Sequence, residues 1–479
     1  MDVFKMFAIL FTVMTIFASI LIILDNRNPS STVAWLMALI FLPGIGMFLY
    51  LYIGQNHRKK NTFIKKRKQD YDVIHNLLYH QISFTDYGEF LKDNFTDTRA
   101  TVAPLLLNNS KTPITVNNQA EVLINGEETF SEMLEAIDRA DHHIHMEYYI
   151  IKDSLIGRQF QKALIKKAKE GVKVRIIYDA VGSWRLKKDF INKFKEAGIK
   201  MEAFLPVTLP FFGSRLNYRN HRKILVVDGK TGFVGGLNIG DEYLGRDKKM
   251  GFWRDTHLKI CGEAVYLLQV IFLKDWYFVS QEELKNTMYF PKQGYCGNQM
   301  IQVASSGPDS YWQPIHQAYF SAIATASQEI LITTPYLVPD ESILLALKTA
   351  AIRGIDVKIL VPGIADHKTV FWASKSHFME LLEAGVRIYQ YQKGFVHSKT
   401  FIIDGNFSSI GTANLDIRSF YLNFEVNAFL YDTDIAEKLR DNFYLDLDVS
   451  KEVVLEEYRE RPIHHRFIES IARIFSPIL

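Results

Sequence analysis

The sequence predicts two similar α/β halves set behind a pair of apolar N-terminal helices. Three observations carry that expectation: an internal duplication, an alternation of helix-period and β-type segments within each copy, and two long apolar runs before residue 55. At 479 residues the chain exceeds one ordinary domain, and its length leaves room for about three units.

Met6 to Leu24 is an apolar run without charge and Val33 to Gly54 is a second, each near the ~20 residues that cross a bilayer as helix. Only DNRNPSST separates them, so residues 1–54 read as a transmembrane hairpin. Pro43, Gly44 and Gly46 interrupt the second run, which leaves room for a kink or a shallow re-entrant turn. A cleaved signal peptide is the competing reading, but no small-x-small site precedes Asp25 and a second span follows. Residues 55–118 read as a basic juxtamembrane connector. Arg58, Lys59, Lys60, Lys65, Lys66, Arg67 and Lys68 follow the second span directly, and the positive-inside rule sets this flank and the rest of the chain in the cytoplasm.

Beyond the connector the chain repeats itself. AIDRADHHIHMEYYI from Ala136 aligns with AIATASQEILITTPY from Ala322, AKEGVKVRIIYD from Ala168 with AIRGIDVKILVP from Ala351, and EAGIKMEAF from Glu196 with EAGVRIYQY from Glu383. So long a period marks a duplicated unit and not a solenoid. Helix-period segments ending in Gly alternate with apolar β runs, the pattern of βα units on a largely parallel sheet, giving one half over residues 119–295 and another over 296–479. The first half carries an extra stretch, LPVTLPFFGSRLNYRN, whose Pro, Gly, Phe211 and Phe212 suggest a loop that shapes access, with inward packing of both rings as the alternative. At the far end Phe467, Ile468, Ile471, Ile474 and Phe475 share a helical face opposite Arg466 and Arg473, which fits an interfacial helix or an ordinary docking helix.

The chemistry is concentrated in a pattern that occurs twice: His221, Lys223 and Asp228 in NHRKILVVDG, and His397, Lys399 and Asp404 in VHSKTFIIDG. Asn238 and Asn414 each lie 17 residues beyond their histidine. Side chains two apart on a strand share a face, so imidazole and ammonium emerge side by side. A neutral imidazole attacks phosphorus, a protonated one donates to a leaving oxygen, and lysines stabilise the oxyanions of a phosphoryl transition state. A single copy would read as a solvated strand start. Two copies supply nucleophile, acid and two cations, the set a two-step displacement at a phosphodiester requires. Asp-Gly between apolar runs is also a favoured hairpin turn, so Asp228 and Asp404 stand evenly between structural support and substrate contact.

Other signals are weaker. His143 and His145 share a strand face, but no further ligand has suitable spacing, and a core strand is preferred to a metal site. Cys261 and Cys296 make neither a metal-type pair nor a disulfide framework, as expected of a reducing compartment. A net charge of +3 is too balanced to argue for nucleic-acid binding.

With these residues in place, the chain resembles the phospholipase D superfamily, whose signature is two HxKxxxxD motifs forming one site. Within it the chain is similar to the bacterial cardiolipin synthases, through NRNPSSTVAWLMALIFLPGIG, MEYYI, NYRNHRKILVVDG, SSGPD, TPYLVPD and GTANLDIRSF. The resemblance implies two similar α/β halves packed face to face around one composite site, with no metal or other cofactor. It implies transfer of a phosphatidyl group from one phosphatidylglycerol to another, releasing glycerol through a phosphohistidine. By the superfamily's usual order His221 is the nucleophile and His397 the acid and then the base, while Lys223, Lys399, Asn238 and Asn414 hold phosphate oxygens. Asp255 in FWRDTHLKI and Glu425 in LNFEVNAFL would orient the histidines through their second ring nitrogens, and Glu147 of MEYYI would reach the site floor. The implied partners are phosphatidylglycerol and anionic membrane lipids, without nucleic acid, and the implied place is the bacterial cell membrane, multi-pass, with cytoplasmic catalytic halves. The rival enzyme is a membrane phospholipase D that hydrolyses phospholipids to phosphatidic acid. A scaffold or nucleic-acid-binding module with a vestigial site is the non-enzymatic rival, against which both intact motifs argue.

Overall fold

A computed structural model describes residues 3–24, 29–50, 95–206, 217–247 and 249–478. The basic run from Arg58 to Lys68 and the paired Phe211 and Phe212 lie outside the described residues.

Two sheets of matching topology organise the chain. The first comprises β1 (Asn118–Ile124), β2 (His143–Tyr148), β3 (Lys173–Asp179), β4 (Lys200–Phe204), β5 (Lys223–Val227), β6 (Thr231–Gly235) and, after the short strand β7 (Phe252–Arg254), β8 (Thr256–Gly262). Its spatial order is β1-β8-β6-β5-β2-β3-β4. The second comprises β9 (Ile301–Ser306), β10 (Glu329–Thr333), β12 (Asp356–Pro362), β13 (Arg387–Tyr391), β15 (Thr400–Ile403), β16 (Phe407–Gly411), β18 (Glu425–Leu430) and β19 (Ser450–Glu452), with the short strands β11 (Leu337–Val338), β14 (Gly394–Val396) and β17 (Leu415–Asp416) outside it. Read from β9, its order is β9-β18-β16-β15-β10-β12-β13-β19, the first sheet repeated with one added edge strand.

The expectation of largely parallel sheets needs correction. Only β2, β3 and β4, and their counterparts β10, β12 and β13, run parallel. From β5 and β15 outward the pairings are antiparallel. The turn chemistry explains the switch. Asp228 and Gly229 take φ of 55° and 65°, Asp404 and Gly405 take 51° and 64°, and two consecutive left-handed residues make the hairpin that joins β5 to β6 and β15 to β16.

Strands KILVV and TFII are buried along their whole length, because each sheet is covered on both faces. One apolar cluster joins Ile224, Val226, Val234 and Leu258 of the first sheet to Ile402, Ile410, Val426 and Ala428 of the second, so the halves meet sheet to sheet. The helix Ala264–Ser280 is largely apolar and most of it is buried in the same cluster, with Gln269 and Asp275 as its buried polar residues. Part of the expected connector is also ordered: Thr98–Ser110 forms a helix whose Val102, Ala103 and Leu106 sit in the second half's outer core. Cys261 and Cys296 are free thiols, and burial together with a hydrogen bond to Cys296 pushes the Cys261 thiol up to about 12.

At the N-terminus Val3–Leu24, Pro29–Phe41 and Pro43–Leu49 are helical. The second apolar run breaks at Leu42, whose φ of −130° leaves the helical region just before Pro43, as a residue preceding proline is driven to do. Ala18, Ile22, Leu39 and Tyr50 pack together, while Phe17, Ile23, Leu24, Ile40 and Phe41 remain exposed. Among the described residues no helix is long and apolar enough to cross a membrane.

Candidate active site

Both motif histidines border one cavity of about 540 Å³ between the halves, together with Tyr149, Asn238, Tyr243 and Trp253 from the first half and Tyr336, Asp366, Asn414 and Asp416 from the second. The backbone brings them there in a crossed arrangement. The His397 amide donates to the Arg254 carbonyl at 2.7 Å, continuing the parallel pairing of β14 with β7. The His221 amide donates to the Phe424 carbonyl at 2.9 Å, and Phe424 donates in turn to Arg219. Each histidine segment therefore runs beside the segment of the other half that precedes a carboxylate.

The side chains follow. His397 Nδ1 lies 2.8 Å from Asp255 Oδ2, and His221 Nδ1 lies 3.0 Å from both oxygens of Glu425. Asp255 and Glu425 thus stand where the sequence placed them along the chain, yet each faces the histidine of the opposite half. Further partners fix them. Thr412 and Asn423 donate to Glu425, while Trp253 and the Thr256 amide donate to Asp255. A Cβ at Gly236 would meet Asp255 Oδ1 at 2.1 Å, which is why that register position carries no side chain.

Lys223 and Lys399 do not border the cavity. They are buried beneath the histidines, and their ammonium groups donate to the carbonyls of His221 and His397. Burial lowers Lys223 to about 7, with Glu425 opposing, and Lys399 to about 8, with Asp255 opposing. Burial also lowers both histidines to about 4, against the pull of their carboxylates. Against the upward push of burial, His397 holds Asp255 and His221 holds Glu425 below the ordinary carboxylate range. Lys399 is felt at His221 and Lys223 at His397, so the four groups share one field.

Three expected site residues lie elsewhere. Asp228 accepts from the amides of Asp141, His142 and His143, each at 2.8 Å, and Asp404 accepts from those of Ser327, Gln328 and Glu329 at 2.9, 2.7 and 3.0 Å. Both tie the hairpin turn to the start of the neighbouring strand, away from the cavity, which corrects their place among the catalytic groups. Glu147 is also corrected. It is buried behind β5, bonded to Asn220 and close to Asp275, which is itself paired with Arg222. Burial first, and then Asp275, raise its carboxyl well above the usual range. Successive residues of β2 point to opposite faces, and this one faces the network and not the cavity.

Replacing Asp228 or Asp404 with alanine leaves three amides without their carboxylate, and is expected to lower stability by about 3 kcal/mol. Urea denaturation measures this directly. Turnover per folded molecule should change less than about tenfold, and a larger loss in a fully folded variant would return the aspartates to the chemistry.

His143 and His145 belong to the core. Gln269 bridges them at 3.0 and 2.7 Å, and His145 stacks on Phe272 with ring centres 4.4 Å apart. Among the described residues no three His, Cys, Asp or Glu side chains lie together as a metal-holding set. Sequence reasoning missed Tyr149, whose ring meets His221 at 5.0 Å, and Trp253, whose ring meets His397 at 5.2 Å. Trp253 was legible as the same-face neighbour of Asp255, two residues away. It also passed over Asp416, which stands within GTANLDIRSF.

Two like halves joined sheet to sheet, with one carboxylate-held histidine from each in a shared cavity, define a duplicated phosphotransferase of the phospholipase D type. The model of the family "Cardiolipin synthase, PLD-like domain" matches residues 133–276 and 319–447, and that of "Phospholipase_D-nuclease N-terminal" matches 13–55. A cardiolipin synthase of Geobacillus sp. (strain WCH70) is 47% identical over 98% of this chain and 93% of its own. The major cardiolipin synthase of Bacillus subtilis (strain 168) is 43% identical over 98% of both. The chain belongs to the cardiolipin synthase family, enzymes that transfer phosphatidyl groups. Among solved structures, a phosphatidylserine synthase of Haemophilus influenzae superposes with a TM-score of 0.60 at 15% identity, covering 79% of this chain and all of that one, a likeness of fold.

Proposed function

We propose that this enzyme joins two phosphatidylglycerol molecules into cardiolipin and glycerol through a phosphohistidine on His221. The observation that carries this reading is the crossed pair His221–Glu425 and His397–Asp255 on one cavity. Burial keeps His221 neutral near pH 7, as a nucleophile requires, and Glu425 holds the proton on Nδ1 so that Nε2 carries the free lone pair. His221 attacks phosphorus, the P–O bond to glycerol breaks, and His397 delivers a proton to the departing oxygen. His397 then takes the proton of the acceptor's terminal hydroxyl, whose oxygen attacks phosphorus as the P–N bond breaks. One phosphodiester replaces another, so no nucleotide is consumed. Lys223 and Lys399 supply positive potential from beneath, and Asn238 retains an amide hydrogen for a phosphate oxygen after donating to Tyr243.

The two apolar N-terminal runs act in this reading as a membrane hairpin, with the catalytic halves on the cytoplasmic leaflet. The exposed Phe17, Ile23, Ile40 and Phe41 support it. So does the C-terminal helix Ile463–Ile474, which docks through Glu469 and Ala472 but turns Ile463, Phe467 and Ile474 outward. It packs against the helix Lys368–Lys375, whose Val370 borders the cavity.

Incubating the purified full-length chain with labelled phosphatidylglycerol tests the reading. Cardiolipin and glycerol in equal amounts are expected, and phosphatidic acid without cardiolipin would establish the hydrolase instead. Labelling of an engineered surface cysteine from outside intact cells would overturn the orientation.

A further inference from the structure

The two orienting carboxylates share a support that the duplication does not explain. The Glu425 carbonyl accepts from Arg222 Nε at 3.1 Å. The Asp255 carbonyl accepts from Arg254 Nη1 at 2.6 Å and from the Asn125 amide at 3.0 Å. Both arginines are buried, and each is neutralised by an aspartate on a core helix. Asp275 on Ala264–Ser280 pairs with Arg222, and Asp446 on Thr433–Asp448 takes Arg254 Nε at 2.9 and 2.8 Å to its two oxygens. These helices are counterparts, the first following β8 and the second β18.

The arginines are not counterparts. Arg222 stands inside the first motif, where the second has Ser398, and Arg254 stands immediately before Asp255, where the other half has Phe424. The same contact is built from different places in the chain, so it answers a need of the site and is not inherited from the repeat. Both supports also cross between the halves. Glu425 belongs to the second half and Arg222 with Asp275 to the first, whereas Asp255 and Arg254 belong to the first and Asp446 to the second. Arg222 further reaches the Ser306 carbonyl at 3.5 Å, in register with Glu425, and lies 5.4 Å from the centre of the Phe424 ring, whose residue receives the His221 amide. On the other side the Arg254 carbonyl receives the His397 amide, and Ser398 donates to Thr256 Oγ1, which also accepts from Arg254. Burial works against the charge of Arg222, and Asp275 first, then Glu147 and Asp309, hold it above its ordinary range.

We propose that Arg222 with Asp275, and Arg254 with Asp446, are positioning residues that each set one imidazole of the composite site across the boundary between the halves, an inference that rests on the phosphatidyl-transfer reading above. Neither arginine borders the cavity, so they act through Glu425 and Asp255. A displacement of about 1 Å at a reacting group costs about 10²-fold in rate. A planar guanidinium bonded at once to a carbonyl and to a neutralising carboxylate resists that displacement, where a flexible ammonium does not.

Leaving-group dependence separates positioning from a general contribution to folding. Full-length enzyme is assayed for cardiolipin formation from phosphatidylglycerol and for first-turnover release of nitrophenolate from phosphatidyl-p-nitrophenol, whose leaving group departs as an anion without an acid. Arg254→Met/Asp446→Leu should lower cardiolipin formation about 10²-fold and leave nitrophenolate release near wild type, because only the acid side is loosened. Arg222→Met/Asp275→Leu should lower both about 10²-fold, because either donor needs the nucleophile. Removing both members of a pair leaves no lone buried charge, and urea denaturation gives the folded fraction to which the rates are referred. Arg222→Lys and Arg254→Lys, which keep the charge but not the fork, should repeat the two patterns. Equal losses with both donors in both paired variants would show a support of the fold alone and overturn the proposal, as would unchanged rates in both. If wild type neither makes cardiolipin nor releases nitrophenolate, the phosphatidyl-transfer reading itself fails.

Discussion

Replacing His397 with alanine is expected to lower cardiolipin formation by about 10²–10⁴-fold, and replacing His221 by more, because in the proposed reading the first removes an acid and base and the second the nucleophile. The two losses differ in kind. Acid-labile phosphatidyl label should remain trapped on His397→Ala protein and be absent from His221→Ala. Neither imidazole is spare: burial holds each near 4, so at neutral pH both start uncharged, and in the proposed reading His397 gains its proton once an anionic phosphodiester enters the cavity. A His397→Ala enzyme that made cardiolipin at near-normal rate would show two independent sites in place of one composite site. Label retained in His221→Ala and lost in His397→Ala would exchange the roles.

The duplication, the strand character of NHRKILVVDG and VHSKTFIIDG and the turns that end them were legible because they depend on neighbours in sequence. A short continuous apolar run, an Asp-Gly pair and a repeated register need no tertiary information. Pairing direction does depend on it. The β5–β6 and β15–β16 hairpins make half of each sheet antiparallel, and helix-strand alternation in the other half masked this. The site shows the same division. Asp255 and Glu425 were recognisable as carboxylates on strands, but their partners lie 142 and 204 residues away, each in the half opposite the nearer histidine. Glu147 shares its strand with residues that face the core, and only the packing of Arg222 and Asp275 reveals that it serves the network behind β5. Asp416 lies within the quoted GTANLDIRSF, but only the folded cavity shows that it borders the site.

Because the carboxylates cross between halves, Asp255→Asn and Glu425→Gln are expected to fail in different ways although each keeps the size of the side chain. Both should lower turnover by about 10²–10⁴-fold, the cost of losing the group that fixes an imidazole tautomer and stabilises its cation. The pH dependence has a definite sign. Asp255 opposes the fall of His397 and of Lys399, and Glu425 does so for His221, Lys223 and Lys399. Removing either carboxylate therefore lowers the pKa of the cations around it. The alkaline limb of activity, where the acid histidine and the lysines lose their protons, should move to lower pH in both variants, and a shift to higher pH would contradict the electrostatic role. The covalent intermediate separates them. Glu425→Gln misaligns the nucleophile and should resemble His221→Ala, with little trapped label, whereas Asp255→Asn weakens the acid and should resemble His397→Ala, with label retained. If the halves were self-contained, Asp255 would serve His221 and the two patterns would be reversed.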